Sequence, residues 1–206
     1  MEWETFAPLR LLPFITHAFT LRTGEDTKAD DFEGRALQAL GFPPGRFASA
    51  EQTHGSGIAT VFETTGERVP MVDALVTSTT DLPLVIRCAD CAAVFVVDRQ
   101  RPAIALIHSG KKGTLANVTG NTLATMSQRF GTNAVDCLAF ISPSIGPCHY
   151  EMDIWSAIEQ QLHEAGVRDV HNPRACTACH LDRYFSYRAE HGQTGRMFAV
   201  LALKPQ

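Results

Sequence analysis

Short apolar runs alternate along this chain with polar, glycine-containing breaks, and most runs are too short for helices. Phe14 to Leu21 alternates as a strand does, with His17 inside it. Phe47 to Thr53 and Gly57 to Phe62 read as a strand pair around a turn at His54, and Thr64 to Pro70 as a polar loop. Asp73 to Thr77, Leu84 to Cys88 and Ala92 to Val97 are short apolar segments. Ala103 to Ile107 is continuously apolar, as a strand buried on both faces would be. Val135 to Ile141 and Phe198 to Leu203 predict two more strands. Helical patterning is sparser. Asp30 and Asp31 are placed to cap a helix through Leu40, ended by Gly41 and Pro43. Gly113-Thr114 opens a predicted helix to about Phe130, with Leu115, Val118, Met126 and Phe130 as a partial stripe weakened by Gly120. Ile154, Trp155, Ile158, Leu162 and Ala165 share one helical face, and Asp182 to about Glu190 predicts another helix. Strands and helices mix without strict alternation. The expected class is α+β: mixed β-sheets flanked by helices, in one domain over 1–206, since no repeat, low-complexity tract or linker divides the chain.

Composition narrows the partners. With 45% hydrophobic and 19% charged residues, the 206-residue chain is globular rather than disordered. A net charge of -4, without a basic tract, argues against nucleic acid as a partner. The acidic start Met1-Glu2-Trp3-Glu4 predicts no secretory signal, and no apolar run reaches the ~20 residues of a membrane span. A cytoplasmic protein is expected, with its oligomeric state left open. On that reading a disulfide framework is not expected among Cys88, Cys91, Cys137, Cys148, Cys176 and Cys179. Two C-x-x-C pairs exist, but Cys91 and Cys176 lie much farther apart than the ~15–20 residues of a zinc ribbon. Cys137 reads as a core thiol. Cys148-His149 and Cys179-His180 look metal-like, but the first falls in a motif that reads as a structural loop. Cys176 and Cys179 read as solvent-exposed thiols, with a redox pair or a second metal site as alternatives. Met71 and Met126 read as core fillers, and Arg188 and Arg196 as anchors for loops or carboxylates.

The candidate chemistry lies at three junctions. His54 stands in Glu51-Gln52-Thr53-His54-Gly55, Cys91 in Arg87-Cys88-Ala89-Asp90-Cys91, and His108 in Leu106-Ile107-His108-Ser109-Gly110. Each closes an apolar run inside a small-residue loop, where a rigid scaffold presents side chains to a cleft. Two imidazoles and a thiolate suffice for a catalytic zinc with one open position. The same set can run thiol chemistry, with Cys91 as nucleophile and a histidine as base. After His108, Ser109-Gly110-Lys111-Lys112-Gly113-Thr114 leads into a helix whose first amides, with the two lysines, suit a phosphate.

Seven ordered segments carry a resemblance: Thr16-His17-Ala18-Phe19-Thr20-Leu21-Arg22-Thr23-Gly24, Gln52-Thr53-His54-Gly55, Val72-Asp73-Ala74-Leu75-Val76-Thr77, Ala89-Asp90-Cys91, His108-Ser109-Gly110-Lys111-Lys112-Gly113-Thr114, Ser142-Pro143-Ser144-Ile145-Gly146-Pro147-Cys148-His149-Tyr150-Glu151, and the closing Phe185-Ser186-Tyr187-Arg188 with Thr194-Gly195-Arg196. Over nearly its whole length the chain resembles the multicopper polyphenol oxidoreductase (laccase-domain) family of purine nucleoside phosphorylase type, also called the peptidoglycan editing factor family. The resemblance implies a fold like that of bacterial toxins that deamidate through a Cys–His pair. It implies a cytoplasmic enzyme that cleaves adenosine, inosine or methylthioadenosine with phosphate and deaminates adenosine. It also implies zinc, rather than copper, on His54, Cys91 and His108, with the same three side chains at the reacting centre. Arg22, Lys111 and Lys112 are the candidates for binding phosphate; no residue is singled out as the acid that protonates the base, though Asp90 stands next to Cys91.

The departures matter. Where the family has Trp-Arg, this chain has Lys111-Lys112, which supply point charge but neither a stacking face nor a bidentate grip. Ser109 replaces an alanine, and Cys88 stands before Ala-Asp-Cys, where it either competes for metal or packs. Two other readings stay open: a metal-free Cys91–His108 hydrolase or amidase, and a non-catalytic module that binds nucleoside or phosphate.

Overall fold

The computed structural model describes residues 1–24, 27, 32–64 and 68–205. In chain order the elements are β1 (Trp3–Glu4), α1 (Ala7–Arg10), β2 (Ile15–Thr20), α2 (Phe32–Ala39), β3 (Ala48–Ser49), β4 (Ile58–Thr60), β5 (Ala74–Thr77), β6 (Leu84–Cys88), β7 (Ala92–Asp98) and β8 (Ile104–Ser109). There follow α3 (Lys111–Leu115), α4 (Val118–Phe130), β9 (Cys137–Ile141), α5 (Ile154–Glu164), β10 (Asp169–His171) and β11 (Met197–Leu203). One sheet runs β1-β2-β11-β6-β3 and the other β10-β9-β7-β8-β5-β4. Both are mixed, with β3 parallel to β6, and β4 parallel to β5. This is a single α+β domain with mixed sheets flanked by helices.

Side-chain alternation builds the layers. On β7, Ala93, Phe95 and Val97 face the other sheet and join Phe19, Ile86, Leu106 and Leu201 in the central core. The intervening Ala92, Val94 and Val96 face Val118, Leu123 and Met126 of α4 and Ile158 and Leu162 of α5. Every residue of β7 is buried, which explains why its sequence shows no polar alternation. The outer face of the first sheet carries Val85, Phe198 and Val200 under Phe32 and Leu37 of α2. Each such side chain, fully buried, contributes roughly 1.5–3 kcal/mol.

Several sequence readings change. The segments around His54 are not a pair: β3 joins the first sheet and β4 the second. The chain crosses between sheets there, through Gln52 and His54 at φ of 66° and 62°. The predicted helix to Phe130 is broken. Asn117 adopts φ 55° and caps α4, accepting a hydrogen bond from the Gly120 N–H. Gly120 is therefore a fit rather than a weakness, because a Cβ there would meet the Asn117 side chain at 2.7 Å. The break also turns Leu115 outward, 69% exposed. Residues 182–190 form turns instead of a helix. The Glu190 carboxylate organises them by accepting from Arg22, Ser186 N–H and Thr194. Met126 is buried as read, but Met71 is exposed at φ 59°. The cap read at Asp30 and Asp31 lies outside the described residues; the end of α2 is followed by Gly41 at φ 87°. His17 is buried and accepts from the Phe6 N–H; burial, aided by Arg10, pushes it down to about 4 and keeps it neutral.

Candidate functional site

The antiparallel pairing of β7 with β8 sets Ala92 opposite Ser109, and Ala93 opposite His108. The start of one strand thus meets the end of the other, so Cys91 and His108 sit side by side. Asp73, just before β5, joins them: its carbonyl accepts from the His108 N–H at 2.7 Å. The crossover between sheets supplies His54. The Nδ1/Nε2 and Sγ atoms of His54, Cys91 and His108 that converge lie within 4.8 Å of one another. The two imidazoles meet edge-on, 4.9 Å between centroids.

One buried carboxylate registers this cluster. Asp73 accepts from the backbone N–H groups of His54 (2.9 Å) and Gly55 (2.7 Å), from the Thr53 hydroxyl (3.2 Å) and from Nδ1 of His108 (2.8 Å). It holds the His54 loop in its left-handed conformation and fixes the His108 ring. With Nδ1–H given to Asp73, Nε2 is the nitrogen turned to Cys91, the arrangement that orients a metal-ligating histidine. Sequence reading passed over Asp73; its signal was an acid just before an apolar strand, where a charge has to find partners. Gly110 is the other hidden requirement. A Cβ there would stand 2.5 Å from the Cys91 sulfur and 3.6 Å from the His54 ring.

The electrostatics follow from this geometry. Burial opposes a Cys91 thiolate, but the facing His108 charge and hydrogen bonds from His108 and His54 outweigh it, and the thiol falls to about 6. Burial likewise opposes a charged His108, but the Cys91 thiolate and Asp73 raise it to about 9. Asp73 is buried yet held below the usual carboxylate range by His108 and the Gly55 and His54 amides. A thiolate–imidazolium–carboxylate row results. The donor set of two nitrogens and one sulfur can coordinate a metal, either zinc or copper.

The cluster forms the floor of an open cavity of about 890 Å³. Lys111 and Lys112 line it, both exposed, and Lys111 pairs with Glu151 at 2.9 Å. Arg22 does not line it. Its guanidinium binds Glu190 at 2.7 Å and stacks 4.8 Å over Phe185, which makes it an anchor of the 182–190 turns. Asp90 lines the cavity, but its oxygens are already engaged, accepting from the Thr177 hydroxyl and the Arg188 N–H, each at 2.7 Å. Arg188 and Arg196 are anchors as read, Arg188 pairing with Glu151 at 3.4 Å and Arg196 donating to the Thr194 and Gly195 carbonyls, and both also line the cavity, near Tyr150 and Tyr187 respectively. Cys88 is buried in the central core and packs rather than competing for metal. Cys137 is a core thiol pushed up to about 12 by burial.

Fold and site together define an α+β protein whose two sheets bring a Cys/His cluster capable of coordinating a metal to an open cavity. The family model of the multi-copper polyphenol oxidoreductase laccases matches residues 19–153 and 150–204, and the chain belongs to that family. It is 27% identical to the purine nucleoside phosphorylase YlmD of Geobacillus stearothermophilus, over 94% of this chain and 86% of that protein. It is 30% identical to a purine nucleoside phosphorylase of Deinococcus radiodurans, over 92% of this chain and 89% of that one. The crystal structure of the Geobacillus YlmD superposes with a TM-score of 0.89 at 23% identity, covering 94% of this chain and 93% of that one. No helix among the described residues is long and apolar enough to cross a membrane.

Proposed function

We propose that residues 1–206 form one zinc-binding purine nucleoside phosphorylase domain that also deaminates adenosine, with adenosine, inosine or methylthioadenosine and phosphate as its substrates. The observation that carries this reading is the convergence of His54, Cys91 and His108 on one point at the floor of the cavity. The donors suit zinc better than a multicopper centre: a thiol already held toward thiolate, and an imidazole oriented by a buried carboxylate. His54, Cys91 and His108 would hold the zinc, which would supply the Lewis acidity that deamination needs. The chain's own residues do the rest. Lys111, Lys112, Arg188 and Arg196 put positive charge around the cavity for phosphate, and the exposed ring of Tyr187 offers the purine a stacking face. The proposed compartment is the cytoplasm, in keeping with six free cysteines.

The test is phosphate-dependent release of base from adenosine and inosine, and phosphate-independent formation of inosine, by wild type and Cys91→Ser. Zinc-loaded wild type should do both and the variant neither; zinc-loaded protein that releases no base overturns the phosphorylase reading. A second reading, a Cys91–His108–Asp73 thiol hydrolase, draws on the same hydrogen-bonded row. Full activity after alkylation of Cys91 would exclude it.

A further inference from the structure

The segments that carry Cys148-His149 and Cys176 to Cys179 meet in space. Pro143 to Pro147 delivers Cys148 and His149 to the surface, with a turn closed by His149 N–H to Gly146 carbonyl. Cys176 to Cys179 forms a single helical turn against it, and Ser144 bridges Cys176 in parallel pairing. Ser144 N–H donates to the Ala175 carbonyl, and Thr177 N–H to the Ser144 carbonyl. The two segments are thus held together by backbone before any ligand is added.

Four soft donors converge where they meet. Nδ1 of His149 lies 3.3 Å from Cys148 Sγ, 3.5 Å from Cys179 Sγ and 3.7 Å from Cys176 Sγ, and the Cys148 and Cys179 sulfurs are 3.6 Å apart. Zinc bonds of about 2.3 Å to sulfur and about 2.0–2.1 Å to nitrogen put tetrahedral edges at about 3.8 Å and about 3.6 Å. The observed separations match both. The Gly146 N–H also donates to Cys176 Sγ at 3.3 Å, as backbone amides do to a metal-bound thiolate. Cys176 is buried beside Ile145, Ile154 and Trp155 and is no surface thiol.

We infer that Cys148, His149, Cys176 and Cys179 form a second, structural zinc site of Cys₃His type, separate from His54, Cys91 and His108. Four protein ligands close the coordination sphere, which is the mark of a structural rather than a catalytic zinc. A thiol pair explains the geometry less well, because a disulfide would engage two sulfurs and leave the third sulfur and the imidazole converging on nothing. The site would staple the wall of the cavity: Tyr150, which lines it, follows the first two ligands, and Thr177 binds the Asp90 that precedes Cys91. His180 does not belong to the cluster.

The test uses the full chain, purified in zinc and reductant, as wild type, Cys91→Ser and Cys148→Ser/Cys179→Ser. Cys91→Ser should retain about one zinc per chain, with an X-ray absorption spectrum fitting three sulfurs and one nitrogen. Cys148→Ser/Cys179→Ser should hold about one zinc fewer than wild type; if it does not fold, the spectrum of Cys91→Ser decides. Folded Cys91→Ser without zinc, or with zinc in an oxygen and nitrogen shell, overturns the inference. So does a Cys148–Cys179 disulfide found by mass in the reduced protein. Equal zinc in wild type and Cys91→Ser, with the sulfur-rich shell, would sink the catalytic site and leave this one standing.

Discussion

Asp73→Asn tests whether one carboxylate organises the cluster. The change is nearly isosteric, and Asp73 is fully buried, so packing is preserved while four hydrogen bonds are re-sorted. An amide has one acceptor oxygen where the carboxylate has two. If the oxygen keeps His54 N–H and His108, the amide N–H₂ confronts the Gly55 N–H. If it keeps Gly55 and Thr53, the N–H₂ faces His54 N–H and His108 Nδ1. That second orientation holds the His108 proton on Nε2 and removes the lone pair that a metal would take. Either way a part-buried backbone donor loses its partner, at about 1–3 kcal/mol or less, and charge-assisted bonds become neutral. The predicted loss is about 2–4 kcal/mol of stability by urea denaturation of metal-free protein. Zinc affinity at the His54–Cys91–His108 site should fall about 10–100-fold, read by chelator competition in a protein lacking Cys148 and Cys179. The wild-type carboxyl is depressed, so its contribution is present above the ordinary carboxylate range and fades as pH falls below it; the variant should lack that acid limb. Zinc affinity within about twofold of wild type and an unchanged urea midpoint would refute this account of Asp73.

Three further outcomes follow from the same geometry. Alkylation of Cys91 in metal-free protein should rise through about pH 6 and plateau, since the thiolate exists above that point and His108 stays charged up to about 9; a single midpoint near the ordinary ~8.5 of a thiol would contradict the pairing. Gly110→Ala should leave the fold's circular dichroism intact and abolish metal binding at this site, because the new methyl falls 2.5 Å from Cys91 Sγ; normal loading would show the loop moves freely. Arg22→Ala should lower stability by about 1 kcal/mol after allowance for solvent screening, without changing KM for phosphate. Glu190, held down to about 2 chiefly by its hydrogen bond from Arg22, adds stability above its ordinary 4.5 that is lost as pH falls through about 2. The variant should lose the Arg22 share of that dependence and keep the share from Thr194 and Ser186, and a raised phosphate KM with unchanged stability would instead make Arg22 a ligand.

Local patterning was enough for the buried strands. β7, β8, β9 and β11 are continuous apolar runs, and α5 shows one clean apolar face. It failed where a long-range contact chose the conformation. Residues 182–190 carry helical spacing, but Glu190 takes Arg22 from 168 positions away and holds them in turns. Asn117 broke a helix that the apolar stripe would have continued, because its side chain satisfies the new helix start. Strands as short as β1, β3 and β10 carry too few residues to show a period.

The sequence by itself determined the mixed α+β class and drew attention to His54, Cys91 and His108, since strand ends opening into glycine turns and reactive side chains are both local features. It also held Cys148, His149, Cys176 and Cys179, but as separate loops. Only the tertiary structure decided what met what. Strand register put Cys91 beside His108, the crossover between sheets brought His54 to them, and Asp73 tied the three together. It moved Arg22 out of the cavity and Arg188 and Arg196 into its lining, and it closed four soft donors on one point. The physical reason is that periodicity reports burial one element at a time, whereas a site is made by side chains far apart in sequence whose convergence is fixed by pairing and packing.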